Sequence, residues 1–169
     1  MVYDFQTREV SNQPTLRAIH AYIWGQSLES ARYLCSEIST EDEHGELFRW
    51  IDSLEAVQRL DALRACLLVF AVTDGCIFPR QFQLRAGLAA YEGKNTIVNA
   101  GTGSGKTLSM AVPLLMNPDA VGIIVSPLKR LQSTQAKELE RFLINPLVIN
   151  QDIELSPAEI KVLRAVPWL

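Results

Sequence analysis

The feature that most constrains this chain is a glycine-rich loop at residues 100–107, which reads Ala-Gly-Thr-Gly-Ser-Gly-Lys-Thr. Three glycines let the backbone curl so that successive N–H groups point inward and form a nest for an anion. A helix predicted directly after the loop would point the positive end of its dipole at the same place. In such a loop Lys106 supplies a mobile cation for the β and γ phosphates, and Thr107 offers a hydroxyl to Mg²⁺. The sequence therefore predicts binding of a nucleoside triphosphate with Mg²⁺. The predicted phosphate contacts are Gly101, Thr102, Gly103, Ser104, Gly105, Lys106 and Thr107, and Thr107 is also the predicted metal ligand.

The hydrophobic pattern around this loop predicts an α/β fold with a parallel sheet flanked by helices. Short β-branched or apolar runs are typical of buried strands, and longer stretches with a 3.6-residue period are typical of helices. Strand, helix, strand, helix, strand in that order is typical of a parallel sheet. The predicted strands are 96–99, 121–126 and 147–149, and the predicted helices are 85–92, 107–116 and 128–142. A capping box with proline in the first helical position, at residues 156–159, predicts one more helix to about residue 166.

The first 75 residues are predicted to form a separate, all-helical segment. Apolar residues recur at spacings of three and four from about residue 14 to 39 and again from 47 to 70, and Asp74-Gly75 is a typical helix end. The charged stretch 40–45 between them is interpreted as a loop. We therefore divide the chain into a helical segment at 1–75 and an α/β domain at 76–169. The first part is acidic and the second mildly basic, which is compatible with phosphate-bearing partners.

Composition excludes several classes of protein. Cys35, Cys66 and Cys76 form no C-x-x-C pair, and neither histidine lies near a ligand cluster, so no disulfide framework or zinc site is predicted. The longest apolar run, 65–72, is too short to span a bilayer, and the N-terminus has no apolar signal region. The sequence predicts a soluble, intracellular protein without a membrane partner, and a nuclear location is compatible with it.

The loop and its upstream flank resemble the DEAD/DEAH-box and RecQ-like helicases of superfamily 2. Alanine in the first place of the loop is the form that those enzymes use. The stretch 79–83, Pro-Arg-Gln-Phe-Gln, is similar to their glutamine motif, and Gln83 lies 24 residues before Thr107, a spacing found in DEAD-box proteins. A glutamine amide can accept from adenine N6 and donate to N7, so the resemblance implies ATP. Arg80 falls where RecQ-like proteins carry an arginine beside the base, and Phe78 lies one place before their aromatic residue.

Downstream, Ser126-Pro127-Leu128 is similar to motif Ia, which in this family grips the sugar-phosphate backbone of nucleic acid. Gln135 follows Pro127 by eight residues, as in the RecQ-like pattern. Lys129 and Arg130 follow this stretch directly. They either contact phosphates or are ordinary charges on a helix surface, and the sequence leaves both interpretations open. The resemblance spans about residues 76–152 and implies a single-stranded or duplex nucleic-acid partner, with DNA favoured. The implied nucleic-acid contacts are Ser126, Pro127, Lys129, Arg130 and Gln135.

The acidic Asp-Glu pair that this family uses for hydrolysis is not found after Asn150. The superficially similar run Asp42-Glu43-His44 precedes the glycine loop and follows no buried strand, so it is interpreted as part of a charged loop. The resemblance therefore implies only the N-terminal part of the first RecA-like motor lobe, in a chain expected to be truncated or a remnant. No catalytic residue is assigned, and whether the chain is an enzyme is left open.

Two other functions stay open at this point. One is a different P-loop NTPase or a small-molecule kinase. The sequence lacks the Asn-Lys-x-Asp motif that binds guanine in GTPases, which argues against a GTPase. The spacing between Gln83 and the glycine loop argues against a kinase. The other is a non-enzymatic interaction module built on the helices of residues 13–74.

Overall fold

The computed structural model describes residues 2–3, 10–11, 15–39 and 41–165. Over these ranges the chain forms eight helices and one pair of two-residue antiparallel strands, in which Val2 pairs with Ser11 and Tyr3 with Val10. Among the described residues, no helix is both long and apolar enough to cross a membrane. In chain order the elements are β1 Val2–Tyr3, β2 Val10–Ser11, α1 Leu16–Trp24, α2 Leu28–Ile38, α3 Glu41–Asp52, α4 Ala56–Val72, α5 Gln81–Tyr91, α6 Lys106–Met116, α7 Lys129–Glu140 and α8 Pro157–Ala165.

Helix α4 is the centre of the core. It packs against α1, α2 and α3 and also against α5 and α6. A helix with apolar residues on nearly all sides must be surrounded by other elements, and the apolar residues of α4 are buried on several of its faces. One continuous core therefore runs from α1 to the end of α7. The buried residues of α4 are Ala62, Leu63, Ala65, Cys66, Leu67, Leu68, Val69 and Val72.

Side-chain caps and one arginine fix the ends of the first helices. Thr15 Oγ1 accepts the Ala18 N–H at 3.1 Å and so caps α1. The last carbonyls of a helix have no partner within the helix, and at α1 Arg64 supplies one by donating from Nη2 to Trp24 O at 2.5 Å. Its guanidinium carbon also lies 4.8 Å from the centroid of the Trp24 ring. A further bond joins α1 to the C-terminal end of α6. His20 Nε2 donates to Met116 O, the carbonyl of the last residue of α6, at 2.9 Å.

The stretches predicted as helices from the apolar period are helical, but the single long helix predicted over 47–70 is wrong in its extent, because α3 ends at Asp52 and α4 begins at Ala56. The loop predicted at 40–45 is wrong over its described part. Residues from Glu41 onward belong to α3, with a local kink at His44, where φ is −133°. Ser39 Oγ and His44 Nδ1 lie 2.7 Å apart across this kink. Acidic residues are favoured near a helix N-terminus because of the helix dipole, so a charged run there is compatible with a helix as well as with a loop.

The predicted parallel sheet is wrong. None of the three segments predicted as its strands forms a strand in the described structure, whose single strand pair is β1–β2 near the N-terminus. Side chains that such a sheet would bury are exposed instead: Ile97 is 97% exposed, Ile123 69% and Val125 90%. A β-branched run favours a strand only where a neighbour pairs with it, and that neighbour is remote in sequence. Over the described residues the fold is helical, and a RecA-like sheet is not present there.

The last helix begins as predicted. Glu159 Oε2 accepts the Ser156 N–H at 2.7 Å, and the Glu159 N–H donates to Ser156 Oγ at 3.3 Å. These reciprocal bonds are the capping box read from the sequence, and Pro157 is the first residue of α8.

Candidate nucleotide-binding site

The glycine loop lies directly before α6 and has the backbone conformation that its glycines permit. Gly103 has a φ of +77° and Gly105 a φ of +79°. Both lie in the left-handed region, where the backbone of residues other than glycine is strained. The Ser104 N–H donates to Gly101 O at 3.3 Å and closes a turn inside the loop. Gly105 is the N-cap residue of α6, a helix of 11 residues. The loop therefore ends at a helix N-terminus, where backbone N–H groups without helical partners attract anions.

Lys106 spans the loop. Its Nζ donates to Ala100 O at 2.7 Å and to Gly101 O at 2.8 Å. Both acceptors are neutral carbonyls, whereas a phosphate oxygen carries a negative charge that attracts the ammonium more strongly than a carbonyl dipole does. An anionic phosphate that enters the loop can therefore replace these carbonyls as the partner of the ammonium.

Thr107 contacts a carboxylate that the sequence did not single out. Its Oγ1 donates a short hydrogen bond to Glu138 Oε2 on α7. Glu138 is half-buried, and its neighbour Leu139 is 5% exposed and holds α7 in the core. Glu138 was missed because it lies 31 residues from Thr107 on a separate helix, and no spacing in the sequence joins the two.

Gln83 is bonded to the glycine loop. It is 6% exposed, and its Nε2 donates to Ser104 O at 3.1 Å and to Gly105 O at 3.0 Å. Its Oε1 accepts the Arg80 N–H at 2.8 Å. A side-chain amide has two donors and two acceptor lone pairs, so both donors are engaged and one lone pair of Oε1 is left. The spacing of 24 residues between Gln83 and Thr107 linked Gln83 to the loop in the sequence. In the structure Gln83 contacts the loop backbone directly.

The other two residues predicted beside the base have different surroundings. Arg80 is exposed and is the N-cap residue of α5. Phe78 is half-buried just before α5, and its ring centroid lies 4.8 Å from that of His44 and 6.0 Å from that of Phe48. Phe78 therefore packs against α3 and joins the N-terminal helices to the start of α5.

The predicted nucleic-acid contacts lie at and near the start of α7. Pro127 and Arg130 are exposed. Lys129 forms an exposed ion pair with Asp152, and exposed pairs of this kind contribute only about 0–1 kcal/mol. These positions form a surface, open to solvent, at the N-terminal end of a helix.

Two polar side chains near this surface are not fully hydrogen-bonded. Ser126 Oγ and Gln135 Oε1 are buried atoms without a hydrogen-bond partner among the described groups. The carbonyl of Ser126 accepts from Gln132 Nε2 at 2.9 Å, which fixes the segment before α7. Buried polar atoms usually have partners, so an unpaired Ser126 Oγ and an unpaired Gln135 Oε1 are unusual, although neither atom is accessible to solvent in this conformation.

Residues 80–163 match the family model of the DEAD/DEAH box helicases. The match covers just under half of the chain and supports a helicase superfamily, whose members generally use ATP with Mg²⁺ and bind nucleic acid. It contains the glycine loop, Gln83, α7 and the start of α8. No curated protein and no solved structure shows a significant match to the chain.

Proposed function

Because a DEAD/DEAH box helicase match contains the whole glycine loop, we propose that this chain is the ATP-binding and nucleic-acid-binding portion of a helicase-related protein, with RecQ-like and DEAD-box-like features. The observation that carries the proposal is the loop before α6, in which Gly103 and Gly105 take left-handed conformations at the N-terminus of a helix. The division into a helical segment at 1–75 and a binding domain at 76–169 is part of this proposal. Because the core is shared between the two parts, the experiments use the whole chain.

Lys106 and the loop backbone bind the triphosphate in this proposal. The Lys106 ammonium is bonded to Ala100 O and Gly101 O at the start of the loop. A phosphate bound by the loop backbone would therefore lie within reach of this side chain. Backbone N–H groups of residues 101–107 supply the remaining donors, and Thr107 supplies an oxygen to Mg²⁺.

Gln83 gives the preference for adenine. Its Oε1 has one lone pair left for the adenine N6 amino group, while its Nε2 is held by Ser104 O and Gly105 O. Donation to adenine N7 would require the release of one of these carbonyls. The Gln83 amide would therefore contact both the base and the loop backbone. Arg80 is exposed and lies at the start of α5, where its side chain can pack over the base.

Nucleic acid binds along the start of α7. Lys129 and Arg130 contribute positive charge, and Ser126 and Gln135 each carry an unpaired, buried polar atom that a local rearrangement would have to expose. With Pro127 they form a small set of contacts to the sugar-phosphate backbone, which carries no sequence information. About two neutralised phosphates give a salt slope near −1.4 for a single strand, at about −0.7 for each phosphate.

Titration calorimetry of ATP with Mg²⁺ on the whole chain tests the proposal. Lys106→Ala removes a charged donor worth about 1.5–3 kcal/mol, so the ATP affinity should fall about 10- to 150-fold, at about 1.4 kcal/mol for each tenfold. The matched control is Lys94→Ala, which removes the same charge from an exposed ion pair with Glu92 and should leave the affinity unchanged.

Equal ATP affinity in the parent and in Lys106→Ala would contradict the proposal. Equal affinity of the parent for GTP and ATP would contradict the role given to Gln83 and would favour another P-loop protein. If the folded parent binds neither nucleotide, an interaction module built on the N-terminal helices becomes the better explanation.

A further inference from the structure

The carboxylate of Glu138 is hydrogen-bonded to Thr107, the last residue of the glycine loop. Thr107 is the residue of the glycine loop that offers its hydroxyl to Mg²⁺, and that hydroxyl donates its hydrogen to Glu138 Oε2. A hydroxyl that donates its hydrogen to a carboxylate keeps its oxygen lone pairs for a metal. We propose that Glu138 positions Mg²⁺ in the nucleotide site, by orienting Thr107 and by placing a carboxylate charge next to the cation. This inference rests on the proposed function, because the metal arrives with the nucleotide.

The place of Glu138 on α7 is fixed by packing. Ala136 and Leu139, on either side of it, are 9% and 5% exposed, and α7 packs against α6, the helix that begins at the loop. Glu140, two residues further on, is exposed. One acid of α7 is therefore directed at the start of α6, while Glu140 lies at the solvent surface and provides a matched control.

The available donors suit Mg²⁺ when a nucleotide is present. Mg²⁺ prefers oxygen ligands and is usually held by one or two carboxylates together with substrate phosphates and waters. A hydroxyl and a single carboxylate are too few to hold it alone, and among the described residues no group of three or more His, Cys, Asp or Glu side chains is placed to bind a metal. Phosphate oxygens would complete the coordination, so this chain should bind Mg²⁺ with the nucleotide and only weakly without it.

The charge of Glu138 makes the inference specific. A carboxylate beside the loop repels a triphosphate that carries no metal, and it attracts the cation of one that does. Removal of this charge should therefore change the two affinities in opposite directions. A purely structural contact between α6 and α7 would instead change both in the same direction, so the two roles are separable by experiment.

The test compares ATP affinity in Mg²⁺ with ATP affinity in EDTA for the whole chain, by calorimetry. In Glu138→Gln the ratio of these affinities should fall about 10- to 100-fold, the usual effect of losing a group that orients a metal ligand, with weaker Mg²⁺–ATP binding and tighter metal-free binding. Glu140→Gln should keep the parent ratio, and Glu138→Asp, which retains the charge, should keep most of it. Titration of the ATP-loaded chain with Mn²⁺, followed by electron paramagnetic resonance, gives a second reading and should show the same order.

A parent-like ratio in Glu138→Gln would overturn the inference and leave the proposed function standing. So would an equal loss of both affinities, since that outcome describes a structural contact. No ATP binding by the folded parent in either buffer would overturn the proposed function and this inference with it. Circular dichroism of each variant establishes that it is folded before the affinities are compared.

Discussion

Replacement of Gly87 by alanine tests the closest contact between α5 and α6. A Cβ added at Gly87 would lie 2.5 Å from Val112 Cβ, 2.7 Å from Val112 Cγ1 and 3.2 Å from Ser109 O. Carbon atoms are at their best separation at about 3.5–4.0 Å, so the two helices would have to move apart by about 1 Å. The nearest atom is a Cβ, which no change of side-chain rotamer can move away.

The expected cost follows from two opposing effects. Overpacking of a well-packed core typically costs about 1–3 kcal/mol, and a Cβ–Cβ clash with a fixed neighbour belongs at the upper end. Alanine in place of glycine inside a helix contributes about 0.8–1.0 kcal/mol of stabilisation. The net loss should be about 2 kcal/mol, which corresponds to a fall in Tm of about 4–8 °C for a chain of this size.

Urea and thermal unfolding, followed by circular dichroism, measure this loss. The control is Gly45→Ala on α3, where an added Cβ would meet nothing within 4 Å, so the same substitution should stabilise by up to about 1 kcal/mol. Because α5 also carries Gln83, which is bonded to the loop, Gly87→Ala should also weaken the proposed binding of ATP. If Gly87→Ala were as stable as Gly45→Ala, the close packing of α5 on α6 would be refuted.

Two further predictions concern thiols and pH. Burial raises the pKa of Cys35 to about 12 and raises that of Cys66 well above its usual value. At pH 8 a thiol reagent should therefore label exposed Cys76 rapidly and label Cys35 and Cys66 only when the protein unfolds. Mass spectrometry counts the labels, and rapid labelling of all three cysteines would contradict the burial of Cys35 and Cys66. Hydrogen bonds from the Ser156 hydroxyl and N–H hold the pKa of Glu159 below its ordinary value, so the capping box contributes stability above the unfolded-state pKa and loses it as pH falls through the lower folded-state value. The Ser156 amide resonance in NMR should therefore titrate with a midpoint below about 4.3, the value for an unperturbed glutamate, and a midpoint at or above it would refute the capping contact.

Local signals in the sequence predicted local structure well. The apolar period predicted the helical stretches of the N-terminal segment, and residues 156–159 predicted the start of α8 through bonds that span only three residues. The glycine spacing predicted a curled loop before a helix, and Gly103 and Gly105 have the positive φ angles that such a loop needs. In each case the deciding interactions lie within about one helical turn of the residues that reveal them.

Features that depend on remote partners were not predictable in the same way. The β-branched runs near Ile97 and Ile123 look like strands in isolation, yet the described structure holds no neighbouring strand for either. Glu138 contacts Thr107 across 31 residues, and its place on α7 resembles that of any polar helix residue. The register of Gln83 with the loop was visible in the sequence, but its bonds to Ser104 O and Gly105 O required the structure.

The exposed apolar run at residues 121–125 has a consequence for how the protein behaves in concentrated solution. Its sequence, Val-Gly-Ile-Ile-Val, combines high β-propensity with no charge, which is the composition of segments that assemble into cross-β aggregates. Pro118 and Pro127 lie on either side of it, and proline cannot donate to a strand ladder. The two prolines therefore limit the stretch that an aggregating neighbour could pair with to the eight residues between them, 119–126, and this stretch is still long enough for cross-β pairing.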